Sequence, residues 1–266
     1  MHPFEFVGDW SGQIVTTSIH AGHDLRPEVA ELMVLDEEDR RREEDPYTNV
    51  IASLMPARVL VHHSRFEADL NRSRDKAIYA TPADCWGFDV FGAGGLPDDV
   101  RARSLEYWDT FYDHLADRLD ALAARGPFVV LDVHSYNHRR PGPHQPEEPW
   151  DRNPELDLGT GTVDREQFTP VIDALRSTMA NQGFDVRDEI KFFPKNLSQW
   201  VHARYPGRGC AMSLEFKKTF MDEWTGIADA DHLRRLATAL QQTIAPLEEA
   251  LAQMVRTDDL ATPLAS

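Results

Sequence analysis

Apolar positions along the chain follow two different periods. Four short runs are dense in β-branched and other apolar residues and end in turn formers: Gln13–Ile19, Arg58–Val61, Pro127–Leu131 and Ala211–Phe216. Such runs predict strands. Between them the spacing changes to three and four residues. The clearest case is Pro97–Ala124, where Val100, Trp108, Phe111, Leu115, Leu119 and Leu122 share one helical face and Arg125-Gly126 supplies a stop. Helices are also predicted near Pro27–Met33, Arg40–Leu54, Glu166–Asn181 and Asp231–Met254, the last bent or broken at Pro246.

Strands alternating with helices predict an α/β fold with a mostly parallel central sheet flanked by helices. No linker, repeat or low-complexity block divides the chain, so residues 1–266 are expected to form a single domain. Arg139–Gly161 holds five prolines and little periodicity. It is too long for an ordinary connection and is expected to be a functional loop, a lid or a mobile segment. The tail after Arg256 is expected to fray.

Composition narrows the class. Hydrophobic residues make up 41% and charged residues 27%, ordinary for a globular domain. No run approaches the roughly eighteen apolar residues of a membrane span, and the start, MHPFEFVGDW, lacks the pattern of a secretory leader. Cys85 and Cys210 are the only cysteines, far apart, which argues against a disulfide framework and leads to the expectation of a cytoplasmic protein. A formal net charge of -17 repels phosphate backbones, so neither nucleic acid nor anionic membrane is an expected partner. Arginines nonetheless cluster at Arg65, Arg72 and Arg74 and at Arg139 and Arg140. They fit either a local anion pocket or surface ion pairs.

The chemistry collects where the strands end. VLDVHSY, residues 130–136, begins as a buried strand and finishes in Asp132, His134, Ser135 and Tyr136. The first strand runs into His20-Ala-Gly-His23, the second into His62-His-Ser-Arg65 and Asp69-Leu-Asn-Arg72, and the last carries Glu215 within SLEFKK. In open α/β sheets, ligands sit beyond the carboxyl ends of strands. Each signal alone is weak. A strand-end His is more often a hydrogen-bonded structural residue, and Glu215 could pair with Lys217, which shares its face of the strand, or with Lys218. Together they predict imidazoles plus a carboxylate, the donor set of a catalytic zinc.

IHAGH (19–23), REEDPYTNVIA (42–52), SRFEADLNRSRDKAIY (64–79) and LDVHSYNHR (131–139), in that order, resemble the N-formylglutamate amidohydrolases. These are in turn similar to zinc carboxypeptidases, so the resemblance implies a zinc-carboxypeptidase-like fold. It covers roughly Ile14 to Lys218. It implies a Zn2+ cofactor, His20 and His134 as ligands, and Asp132 as a group orienting an imidazole. The family's acidic position falls on Asp45, with Glu44 beside it. His23, in the fourth place of the carboxypeptidase HxxE pattern, competes as third ligand. The resemblance further implies that Asn71 and Arg72 grip a substrate carboxylate, with Tyr136 and Arg139 completing the substrate-binding set. A guanidinium suits that role because it binds a carboxylate through two parallel hydrogen bonds. Arg65 would stabilise the developing oxyanion and Glu215 would act as general base. Against these roles stands pairing of the two arginines with Asp69 or Glu67.

The expected reaction is hydrolysis of the amide of a small acidic N-acyl amino acid, N-formyl-L-glutamate giving formate and glutamate, in the degradation of histidine. A related metallo-deacylase of the aspartoacylase or succinylglutamate type would use the same parts. A metal- or anion-binding protein without turnover is the non-enzymatic alternative, and it has no need of Glu215. A serine hydrolase lacks support because no GxSxG is present. Oligomeric state is not legible.

Overall fold

The computed structural model describes residues 2–261, with side chains through Arg256. Its seven strands are β1 (Phe4–Gly8), β2 (Ile14–Ser18), β3 (Ala57–Val61), β4 (Phe128–Tyr136), β5 (Leu156–Gly159), β6 (Val186–Asp188) and β7 (Gly209–Lys217). They form one sheet in the order β1-β3-β2-β4-β7-β5-β6. The β3-β2-β4-β7 centre is parallel, and β1 and β5 join it antiparallel. The helices are α1 (Pro27–Leu32), α2 (Glu37–Glu43), α3 (Thr48–Ile51), α4 (Asp98–Ala123), α5 (Arg165–Asn181), α6 (Asn196–Arg204), α7 (Ala230–Gln241) and α8 (Ile244–Ala261). This is the single-domain, mostly parallel α/β fold that the periodicity predicts.

Period-two alternation in β4 assigns its side chains to two cores. Val129, Leu131 and Val133 pack with α5, α7 and α8, while Phe128 and Val130 pack with Phe111, Leu115 and Leu119 of α4. The α4 face of the strand is apolar only in its first half. Asp132, His134 and Tyr136 continue that face beyond the helix cover, so the polar end of VLDVHSY opens into a cavity. Thus β4 is buried at all nine positions and still carries ionisable groups. In β7 the same register sets Ala211 over the α4 core and brings Glu215 opposite His134.

Helix α4 matches its predicted span closely. Asp98 and Asp99 occupy its first turn, where the helix dipole favours negative charge, and the chain then turns at Gly126, whose φ of 145° suits glycine.

Several expectations need correction. The helix predicted over Arg40–Leu54 breaks after Glu43, because Pro46 cannot continue it and Tyr47 takes a φ of 68°. The predicted bend at Pro246 is a break at Gln242-Thr243; Pro246 lies in the first turn of α8, where a missing N–H costs nothing. Arg139–Gly161 is not featureless, since it contains β5, which lies between β7 and the edge strand β6. Strands β1, β5 and β6 escape the sequence reading because they are short and, unlike the equally short β2 and β3, carry no dense β-branched run. Helix α8 carries the chain past Arg256 to Ala261; the rest of the expected frayed tail lies outside the described residues.

Candidate metal centre

Three loop or strand ends bring His20, Asp45 and His134 together. His20 follows β2, Asp45 sits in the break between α2 and α3, and His134 is on β4. All three are buried, and one ligand atom from each lies within 4.8 Å of the others. Asp45 is held by its backbone, whose N–H donates to the His20 carbonyl at 2.9 Å.

The two rings are oriented alike. His20 Nε2 faces Asp69 Oδ1 at 2.8 Å and His134 Nε2 faces Asp132 Oδ2 at 2.8 Å. An ionised carboxylate only accepts, so each Nε2 carries a hydrogen toward its own Asp, and each Nδ1 presents a lone pair beside Asp45 once its own proton is displaced. His20 Nδ1 is buried without a hydrogen-bond partner and lies 3.3 Å from Asp45 Oδ2; His134 Nδ1 lies 3.0 Å from the same oxygen. Two lone pairs and a carboxylate oxygen converging in this way call for positive charge between them. Tetrahedral ligand atoms 2.0–2.1 Å from zinc stand about 3.3 Å apart, so the spacing fits a metal ion.

The carboxylates around the cluster favour positive charge at its centre, carried by a proton when no metal is bound. Burial acts to raise the Asp45 pKa, but the neighbouring His134 and His20 imidazoles outweigh it and hold the carboxyl well below its usual range. Burial acts to lower the His134 pKa, yet Asp132, with Asp45, raises it well above its ordinary value. Asp69 is saturated, accepting from His20, Asn71 N, Arg65 Nη2 and the Tyr79 hydroxyl. Asp132 accepts on its other oxygen from the Thr17 hydroxyl.

A cavity of about 300 Å³ lies over this cluster. His20, Asp45, Arg65, Asn71, Arg72, His134, Tyr136 and Glu215 all line it, together with Glu43, Trp86, Asn137, Arg140, Phe192, Lys195 and Lys218. A wider depression of about 880 Å³ beside α2 and Met221–Gly226 contains none of the three clustered residues. The Glu215 side chain makes no hydrogen bond or ion pair with any described residue. Lys217 pairs instead with Glu147 and Lys218 donates to carbonyls. Burial pushes the Glu215 pKa up to about 8 against the pull of His134.

Other candidates stand elsewhere or are engaged. His23 pairs with Glu44 at 2.5 Å, and Glu44 also takes Arg40 and the Ser64 hydroxyl, so neither faces the cluster. The Arg139 side chain donates to the Pro143 carbonyl and lines a separate cavity with Glu147 and Glu223. Its neighbour Arg140 is the one that lines the central cavity, fork-bonded to Glu43 at 2.9 and 2.8 Å. Arg65 spends N–H groups on Asp69, Tyr79 and the Glu43 carbonyl. Arg72 gives one N–H to the Asp84 carbonyl and rests over the Tyr79 ring. Asn71 places Nδ2 3.3 Å from His134 Nε2 and accepts from Leu197 N on its Oδ1. The Tyr136 hydroxyl donates to the Pro154 carbonyl.

Sequence reasoning did not single out Asp69 as an imidazole partner or Lys218 as a cavity residue. Asp69 lies within the 64–79 block, where it is read only as a partner for arginine, and Lys218 ends SLEFKK, where it is read only as a partner for Glu215.

Comparison with known proteins follows this geometry. The family model of N-formylglutamate amidohydrolase matches residues 12–221. An N-formylglutamate amidohydrolase from Ralstonia eutropha has a similar fold, with a TM-score of 0.73 at 17% identity, over 97% of this chain and 100% of that one. A gene product of Agrobacterium tumefaciens aligns with a TM-score of 0.64 at 15% identity, over 96% of each chain. A metallo-carboxypeptidase from Burkholderia cenocepacia is more remote, with a TM-score of 0.35 and 15% identity over 96% of this chain and 61% of that one. No curated protein matches the sequence. The chain belongs to the N-formylglutamate amidohydrolase family.

Proposed function

We propose that this amidohydrolase is zinc-dependent and cleaves the amide of a small acidic N-acyl amino acid, with N-formyl-L-glutamate as substrate and formate and glutamate as products. The observation that carries the reading is the convergence of His20 Nδ1, Asp45 Oδ2 and His134 Nδ1 beside the unpaired Glu215 carboxylate. His20, Asp45 and His134 would hold the metal. When bound, zinc supplies Lewis acidity toward an amide carbonyl and a nucleophilic water.

The remaining work falls to the chain's own residues. Glu215 takes a proton from the attacking water and returns it to the leaving nitrogen as the C–N bond breaks. Burial pushes its pKa up to about 8, and positive charge at the neighbouring cluster would lower it toward the ionised form that a base needs. Asp69 and Asp132 fix the two imidazoles. Arg65 retains N–H groups beyond those given to Asp69, Tyr79 and Glu43, and these stabilise negative charge growing on the carbonyl oxygen. Arg72 and Asn71 bind the substrate carboxylate, with Tyr136 as a further wall of the pocket. A cavity of about 300 Å³ suits a small acyl amino acid, being at the low end for ligand pockets.

One experiment tests the whole. Purified protein is analysed for zinc, and amine release from N-formylglutamate is followed in the parent chain, Glu215→Gln and His134→Ala. About one zinc per chain is expected, retained in Glu215→Gln and mostly lost in His134→Ala. Glu215→Gln should lose roughly two to four decades of turnover. Full zinc occupancy in His134→Ala, or near-normal turnover in Glu215→Gln, would sink the assignment.

A further inference from the structure

Lys218 follows directly on β7 and is buried. Its ammonium donates to the carbonyl oxygens of Arg42 at 2.7 Å and Glu44 at 2.7 Å, and to Asn137 Oδ1 at 2.9 Å. We propose that Lys218 is a positioning residue for the metal centre, clamping the segment that presents Asp45 against the ends of β4 and β7. This inference rests on the reading of His20, Asp45 and His134 as metal ligands.

An ammonium has three N–H groups, and here all three are spent on protein acceptors. Lys218 therefore lines the cavity without a donor left for a substrate. Taking a lysine out of water is costly, so its burial needs these partners. The acceptors also suit a cation: the Arg42 and Glu44 carbonyls belong to the C-terminal end of α2, which leaves carbonyls unpaired and carries partial negative charge. The Glu44 carbonyl shares a peptide bond with the Asp45 N–H, and that N–H donates to the His20 carbonyl. The peptide linking Glu44 to Asp45 is thus pinned on one side by Lys218 and on the other by a fellow ligand of the site. The third acceptor extends the clamp. Asn137 donates from Nδ2 to Glu43 Oε1 at 3.2 Å, and Arg140 grips the same carboxylate. Without the ammonium, the end of α2 keeps unpaired buried carbonyls and the Asp45 carboxylate loses its fixed position between the two imidazoles.

The test uses the full chain in three forms: parent, Lys218→Met and Asn137→Ala. Zinc dissociation constants are measured by chelator competition. The thermal midpoint of the zinc-free protein and KM at saturating zinc are read on the same preparations. Lys218→Met should weaken zinc binding by roughly ten- to a hundredfold, as losses around a metal's direct ligands do, and Asn137→Ala by a smaller factor. KM at saturating zinc should stay within about twofold, since no substrate contact is removed. Should Lys218→Met fail to fold, the zinc constant of Asn137→Ala decides. Unchanged zinc affinity in the variants overturns the clamp, whether or not the thermal midpoint falls. A raised KM with unchanged zinc affinity overturns it in favour of substrate contact. A parent chain that binds no zinc removes the underlying metal reading, an outcome distinct from tight parental binding that the variants leave intact.

Discussion

On the proposed reading, substrate choice turns on Arg72. A net charge of -17 gives no long-range attraction for an anion, so selection rests on short-range contacts. Around the cavity most positive charge is engaged: Arg65 by Asp69, Arg140 by Glu43 and Lys218 by carbonyls. Arg72 is held more loosely, its Nε 3.8 Å from Asp69 and one Nη 3.6 Å from the Asp84 carboxylate, with a single short hydrogen bond, to the Asp84 carbonyl. A charge-assisted hydrogen bond contributes about 1.5–3 kcal/mol, so Arg72→Ala should lower kcat/KM at least about tenfold for a free-carboxylate substrate. The loss should be far smaller for the corresponding α-amide. The quantity to measure is the acid-to-amide ratio of kcat/KM in both proteins. An unchanged ratio would make Arg72 structural and move the anion reader to Lys195, which lines the same cavity and has no ion pair among the described residues. At this scale the residues that meet at the cluster, His20, Asp45 and His134, and the cavity position of Glu215 were legible because His, Asp and Glu stood at strand ends and in family motifs. The role of Lys218 was not, because two of its partners are backbone carbonyls 174 and 176 positions away.

At the scale of elements, legibility followed length. The 26-residue α4 and the nine-residue β4 carry enough repeats of their period to be read from sequence, whereas the three-residue β6 does not. The Arg139–Gly161 segment shows the limit most plainly. Its prolines conceal β5, which is recognisable only once β7 and β6 flank it. Upstream of β5 the loop is tied to the rest of the chain at its start by Arg140 to Glu43 and farther on by part-exposed polar pairs, among them Glu147 to Lys217, and Glu148 and Asn153 to Lys191. Such pairs are weak when solvent reaches them. Lys191→Met should therefore speed proteolytic nicking between residues 139 and 153 several-fold, without changing cleavage elsewhere. Identical digestion kinetics would mean that the loop is held by its packing rather than by these charges.

At the scale of the whole molecule, acid stability is set partly by histidines buried as neutral rings. His202 joins α6 to β7, its Nε2 accepting from the Ala211 N–H at 2.9 Å, and burial pushes its pKa from 6.5 down to about 4. The unfolded chain therefore binds a proton here at higher pH than the folded one. The stability tied to this ring is complete above pH 6.5 and is lost as pH falls from there toward 4. Discounted for partial exposure of the ring, the loss is about 2 kcal/mol. His202→Gln keeps an acceptor for Ala211 and removes the titration, so its thermal midpoint should fall less than that of the parent between pH 7 and 4.5. Parallel curves would assign the acid limb to other groups. No helix among the described residues is long and apolar enough to cross a membrane.

The sequence by itself determined the alternation of strand and helix, the mostly parallel sheet and the placing of ionisable residues at strand ends. Those features depend on local period and on short motifs, which survive without knowledge of partners. Tertiary structure alone decided which of these residues meet. His23 and Arg139 stand within a few positions of His20 and Arg140, yet one turns to Glu44 and the other to Pro143. Asp45, His20 and His134 come from segments up to 114 residues apart, and the β2–β4 pairing with the break after α2 makes them one cluster. A side chain's neighbours are fixed by packing across the sheet, and packing couples positions that no local pattern connects.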